Sequence, residues 1–418
     1  MAEYLFAGDR PRSQAMTNQP FMGAVLYTPA RQKQHGWQAI DWAVVRDQFS
    51  QLAELGVRQV VLRPPWGQLQ PRPQRIDRIS MANLERCLDA AQAAKLNAMV
   101  ALLGVTAWGA FALPEWHNNP DVVGWLQGRT TQPVVTQGAA VIIDGRWQRL
   151  HSANPFTTEA WQQAHHVLIQ TVMGYFASHS AINHWLLAEG WSQLAPTTSA
   201  IARTWLHKLI TQARAVAPRA MLAGMVDGPV LLGQHGISLV LLAEYFDVLL
   251  VDGAMPALGQ RTARRLSAPA LFLHEVVAGL TQRPVLPWLA PTLMSPTASN
   301  WQQIAWQQQI IDIPALSDDD DGRYHETLLT QLHQAGAPGL VLPMPFAMPY
   351  GDSDLPVAWL RRGQALIDAR GNLTGGGLAV QRMWQAAPQV VQRTVAIDRE
   401  RYDHQPVPEL HRLWHEFG

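Results

Sequence analysis

Ala181-Ile182-Asn183-His184-Trp185-Leu186-Leu187-Ala188-Glu189-Gly190-Trp191 is an apolar run that stops abruptly at a carboxylate with a tryptophan on either side. Continuous rather than alternating apolar character marks a strand covered on both faces, as in a parallel sheet. Comparable runs occur at Met22–Tyr27, Gln59–Leu62, Ala98–Leu103, Met221–Met225, Val248–Val251, Ala270–Leu273 and Gly339–Leu342. Helical stripes lie between them: Val45, Phe49, Leu52 and Ala53 form one, Leu168, Val172, Tyr175 and Phe176 another, and Ala202, Trp205, Leu206 and Leu209 a third. Eight strands alternating with helices predict an α/β fold, a single (β/α)8 barrel. The helix after the sixth run is poorly marked, since residues 256–268 hold room for only a short one.

The expected organisation is an N-terminal extension over residues 1–18, the barrel over 19–390, and a tail over 391–418 that packs on the barrel or trails from it. The third strand is followed by a long connection, from Trp108 to about Phe156. Asp144-Gly145 between Val141-Ile142-Ile143 and Arg146-Trp147 reads as a hairpin turn within it. In a barrel this connection rises from the C-terminal face, so it is expected to wall one side of a cleft. Asp318 to Asp321 reads as a solvated loop before a helix.

Composition narrows the function. The 418 residues carry 32 basic and 32 acidic side chains, and no dense Lys/Arg run appears. Neither nucleic acid nor an anionic membrane is therefore expected as a partner. No stretch approaches the roughly 18 apolar residues of a membrane span. Met1 to Thr17 lacks an apolar segment of signal-peptide length, and a cytoplasmic protein is the default expectation. The one cysteine, Cys87, shares a helical face with Leu84, Leu88 and Ala91 and reads as a packed core thiol.

The chemistry is carried by acidic residues at strand ends. Pro269-Ala270-Leu271-Phe272-Leu273-His274-Glu275 reads as a seventh strand that delivers Glu275, as the fourth delivers Glu189. Two glutamates at the C-terminal ends of buried strands suggest glycoside hydrolysis, which uses a pair of carboxylates about the scissile bond. Asp227 and Asp252 end the fifth and sixth strands and are candidates for binding substrate hydroxyls. The chain holds 17 tryptophans. Near strand ends Trp66, Trp116 and Trp191 could each present an apolar face to a sugar ring, and Glu115 is a further subsite candidate. Histidines do not form a metal set. His411 and His415 lack the Glu spacing of a metalloprotease helix, and His165-His166 point two ways. Thr374-Gly375-Gly376-Gly377 lacks the preceding strand of a dinucleotide site. No cofactor and no metal are expected.

Over some 250 residues the chain resembles the clan A glycoside hydrolases, above all families 42 and 5. Gly23-Ala24-Val25-Leu26-Tyr27-Thr28-Pro29 is similar to their first strand, and Arg63 stands where the clan places an arginine beside its nucleophile. Pro65-Trp66-Gly67-Gln68-Leu69-Gln70-Pro71 with Ile76-Asp77 is similar to a clan segment after strand two, with Ile76 in place of the aromatic. Leu113-Pro114-Glu115-Trp116, Asn154-Pro155 and Tyr175-Phe176-Ala177-Ser178-His179 follow in the expected order.

The resemblance implies a retaining hydrolase of a β-linked oligosaccharide or glycoside. Glu189 would be the acid/base, its pKa raised by Leu187 and Trp191. Glu275 would be the nucleophile, kept ionised by Arg63. One departure is marked. The clan has Asn before the acid/base, donating to the sugar 2-hydroxyl, and this chain has Ala188. Asn183, Asp227 and Ser192 are candidates to replace that donor. The departure also admits a non-catalytic carbohydrate-binding barrel. A metal-dependent barrel hydrolase is disfavoured, because no His/Asp cluster falls at strand ends.

Overall fold

A computed structural model describes residues 20–28, 37, 40–104, 106–107, 110–114, 116, 140–143, 146–149, 154–193, 197–234, 236–253, 267–295, 300–306, 309–347, 363–390 and 397–417. Eight parallel strands close into a barrel. They are β1 (Met22–Tyr27), β2 (Gln59–Leu62), β3 (Asn97–Ala101), β8 (Ile182–Ala188), β9 (Met221–Val226), β10 (Val248–Asp252), β11 (Val285–Trp288) and β15 (Gly339–Leu342). The predicted (β/α)8 fold is the observed one.

Two β excursions leave the C-terminal ends of strands. After the third barrel strand come β4 (Thr106–Ala107), β5 (Ala110–Ala112), β6 (Ala140–Ile143) and β7 (Arg146–Arg149). β6 and β7 pair antiparallel as the hairpin reading required, and the turn at Asp144-Gly145 lies outside the described residues. After the seventh barrel strand come β12 (Leu293–Met294), β13 (Asn300–Trp306) and β14 (Gln309–Leu316).

The seventh strand is the one that sequence reasoning misplaced. Residues Ala268–Thr281 form a helix, and the strand is Val285-Leu286-Pro287-Trp288. The physical reason is double-sided burial. The helix packs inward on β10 and β11, and its Phe272 meets Trp414 at 5.0 Å and Phe417 at 5.4 Å on the C-terminal helix Pro406–Phe417. A helix covered on most sides has no amphipathic stripe, so its apolar run imitates a buried strand. The true strand is short and contains a proline, which argues against a central strand.

Helix ends follow local chemistry. Asp41, Asp77, Thr198, Ser238, Ser317 and Thr374 each accept a backbone N–H of the following turn. Ser317 starts the helix Asp318–Gln334, so Asp318 to Asp321 form its first turn rather than a loop. Negative charge is favourable there beside the unpaired N–H groups. Asp321 is buried and faces His325 and the backbone of Gly376. A Cβ at Gly376 would overlap the Asp321 carboxylate, which accounts for glycine at that crossing.

Two apolar layers result. An outer one fills the space between barrel and helices and includes Cys87, whose thiol burial pushes up to about 12. The inner one fills the barrel itself. Alternate residues of a strand face alternate sides, and alternate strands contribute to one level of a barrel interior. The second, fourth, sixth and eighth barrel strands supply Val61, Leu186, Leu250 and Val341. The first, third, fifth and seventh supply Leu26, Ala101, Met225 and Trp288.

Three deeply buried histidines lie in this framework. Burial lowers His165 to about 3, and His184 and His274 to about 4. Each is neutral when folded, so its stabilisation is complete above the unfolded pKa of about 6.5 and is lost as pH falls toward the folded value. His325 acts oppositely: burial lowers its pKa, but the Asp321 charge and hydrogen bond more than offset this, so its contribution fades as pH rises. Three against one predicts a urea midpoint that drops markedly between pH 7 and pH 5. Replacing His184 with Gln is expected to flatten that dependence, and a midpoint independent of pH over this range would contradict the assignment.

Candidate functional site

The mouth of the barrel is built by continuing the inward alternation two residues past the Val61, Leu186, Leu250 and Val341 level. On β2 this reaches Arg63, on β10 Asp252, and at the end of β15 Pro343. On β8 strict alternation would put Ala188 inside and Glu189 outside. The strand instead carries a register shift between Leu186 and Ala188 against β9. Leu187 and Ala188 both pack in the outer layer, and the extra residue turns Glu189 inward. Arg63, Glu189 and Asp252 thus share one charged level above an apolar one.

Glu189 is held from two sides. Its Oε1 accepts a hydrogen bond from Arg63 Nη2 in an ion pair, with side chains 16% and 3% exposed for Arg63 and Glu189. Its other oxygen lies against Gly104, where an added Cβ would stand 2.8 Å from Oε2. Glu189 also bridges Gly104 through the backbone, so the glycine admits both strand and carboxylate. The Arg63 guanidinium sits over the Trp288 ring, 5.2 Å from its centroid. Stacking of this kind orients arginine as well as attracting it.

Asp227 and Asp252 are both buried. Asp227 accepts from the Ser192 hydroxyl with both oxygens, at 2.5 and 2.6 Å, and caps the helix Gly228–Leu231 through Val230 N–H at 3.2 Å. It therefore ties the fourth strand's exit to the fifth strand. Asp252 pairs in register with Trp288 across β10 and β11.

The second expected glutamate is elsewhere. Glu275 is half-buried in the middle of the helix Ala268–Thr281, in the outer ring, and not at a strand end. The residue that ends the seventh strand is Trp288. Arg63 accordingly pairs with Glu189 instead of Glu275, and the expected Glu189–Glu275 pair is not assembled at the mouth. Misreading the helix as a strand caused this error.

The tryptophans form a packed wall. Trp66, Trp116 and Trp191 are 5%, 5% and 2% exposed, and their N–H groups donate to Gln70 Oε1, Gln70 O and Leu103 O, each at 2.7 Å. Trp66 meets Trp116 at 5.7 Å and Trp191 at 6.0 Å, and His165 lies 4.9 Å from Trp191. Trp66 meets Trp116 edge-on and Trp191 at a tilt, and all three rings are buried. Glu115 lies outside the described residues. Asn183 sits near the start of β8 and accepts from Gln59 at 3.1 Å, at the opposite end of the barrel from Glu189. Trp288 and Gly104 were not singled out by sequence. The Pro287-Trp288 strand had no recognisable pattern, and Gly104 is explained only by what approaches it.

No family model matches the chain, and no curated protein sequence matches it. Its fold is shared with solved structures. A GH5_18 protein from Bifidobacterium longum subsp. longum ATCC 55813, solved in complex with Manb1-4GlcNAc, is similar with a TM-score of 0.71 at 20% identity, covering 95% of this chain and 88% of that one. GH5_18 from Streptomyces cattleya, in complex with GlcNAc, gives 0.71 at 16% identity over 96% and 90%. The exo-beta-1,4-mannosidase Op5Man5 from Opitutaceae bacterium strain TAV5 gives 0.66 at 18% identity over 88% and 60%. At these identities the likeness establishes the fold.

Removing one partner of a buried ion pair leaves the other charge in a poorly solvated place, at a cost of about 3–5 kcal/mol. Arg63→Met is expected to lose stability of that order in urea unfolding. Adding Glu189→Gln to it should restore a substantial part. Additive losses in the double variant would argue that the two side chains are not coupled.

Proposed function

We propose that this chain hydrolyses a β-linked glycoside at the C-terminal mouth of its barrel, with Glu189 as the central carboxylate. The observation that carries the reading is the β8 bulge. It turns Glu189 into the mouth, where Arg63 and Gly104 fix its orientation. Glycoside hydrolysis needs a carboxylate held in a defined place beside the anomeric carbon or the leaving oxygen. The C-terminal ends of the strands are where barrel enzymes place such groups. The fold shared with GH5_18 proteins supports the same reading, and the Manb1-4GlcNAc bound to one of them makes β-mannosides the first substrates to test.

A second reading is a barrel that binds a saccharide without turning it over. Trp288 at the end of the seventh strand favours it, because an indole occupies a strand end where a carboxylate was expected. So does Ala188, which packs into the outer layer and presents no donor.

Turnover of Manb1-4GlcNAc and of aryl β-glycosides, measured beside saccharide binding by calorimetry, separates the two. The hydrolase reading expects wild-type turnover and a loss of about 10²–10⁴-fold in Glu189→Gln, the range for removing a general acid or base. Saccharide binding should be retained, while the melting temperature should fall because Arg63 loses its ion-pair partner. Full turnover in Glu189→Gln would remove that residue from the chemistry, and binding without wild-type turnover would select the second reading.

A further inference from the structure

We infer that Asp227 is a positioning residue and not a ligand for substrate: through Ser192 it clamps the bulged end of β8 and keeps Glu189 in the mouth. The effect on turnover rests on the hydrolase reading above, while the clamp itself does not.

A bulge directs a side chain only if the chain is held on both sides of it. Before the bulge, Leu186 is fixed by the ladder, paired with Ala101 on β3 and with Ala223 on β9. The register then shifts, and Ala188 pairs with Gly224. After the bulge β8 has ended. Glu189 bridges Gly104, and Gly190 turns the chain with a φ of 76°, a left-handed conformation that suits glycine. The next two residues are tied to both neighbours of β8. Trp191 N–H donates to Leu103 O beyond the end of β3. The Ser192 hydroxyl donates to Asp227, which directly follows β9.

The second tie is built to be stiff. Ser192 and Asp227 are 2% and 3% exposed. The hydroxyl oxygen lies 2.5 and 2.6 Å from the two carboxylate oxygens, the length of a charge-assisted hydrogen bond. Asp227 is anchored in turn by the ladder of β9 and by Val230 N–H at 3.2 Å. Asp227 was a candidate for substrate hydroxyls, and both residues were candidates for the donor that Ala188 lacks. The structure turns the Ser192 hydroxyl and the Asp227 carboxylate toward each other. Freed from this tie, the Gly190 turn can relax and the register can slip by one residue, which sends Glu189 to the helix side.

Steady-state kinetics and urea unfolding test the clamp. Ser192→Ala cuts the tie and leaves the Asp227 cap on Val230. Its kcat should fall about 10²-fold, the cost of misplacing a catalytic group by about 1 Å, with KM and saccharide affinity held. Asp227→Asn keeps an acceptor for the hydroxyl and should retain most of kcat. Normal kcat in Ser192→Ala, or a raised KM at unchanged kcat in either variant, overturns the inference, the second result making the pair a substrate ligand. Unfolding reads the clamp without turnover. Arg63→Met should destabilise the Ser192→Ala background less than the wild type, because Glu189 is then no longer held against Arg63. An equal loss overturns the clamp, since uncoupled sites add. If Ser192→Ala does not fold, Ser192→Ala with Asp227→Asn removes the buried charge together with its donor, and the same two results are expected. Absence of wild-type turnover removes the hydrolase reading and leaves the unfolding cycle to decide the clamp.

Discussion

A buried carboxylate at the mouth of a closed barrel is the feature about which the site is organised. Glu189 would be costly to bury alone. The guanidinium of Arg63 offsets that cost, and Arg63 is in turn steadied by the Trp288 face. The Arg63–Glu189 contact spans the third barrel strand, and the Arg63–Trp288 contact joins the second and seventh strands across the first and eighth.

The bulge in β8 sets which way the carboxylate of this packing faces. One extra residue moves Leu187 and Ala188 both to the helix side and delivers Glu189 to the interior. It also explains why Ala188 is tolerated. At this position the side chain fills space between strand and helices, where a small apolar group fits. Behind the strand, the indoles of Trp66, Trp116 and Trp191 form a stiff backing with satisfied N–H groups. Such a backing limits the drift of the residues in front of it, which a preorganised site requires.

Much of this was legible in the chain. Seven of the eight strands fall where apolar runs place them, and helix starts follow their Asp, Ser and Thr caps. Arg63 and Glu189 were both expected at the mouth and the structure brings them together there, although Arg63 had been assigned to a different partner. The failure in strand assignment was confined to residues 269–288. A helix buried on both sides and a short strand containing Pro287 exchange their usual signatures, so Glu275 was taken for a mouth residue and Trp288 was overlooked.

The sequence by itself determined the barrel, its alternation of buried strands and capped helices, and the presence of acidic residues where strands end. These are local properties, set by burial over four to eight residues and by single capping side chains. Only the tertiary structure decided which of those residues meet. The inward turn of Glu189 depends on a one-residue register shift against a neighbouring strand, and its pairing with Arg63 depends on two strands set on either side of a third, from residues far apart in the chain. A parity change of one residue reverses which side a side chain faces, and no linear pattern records it.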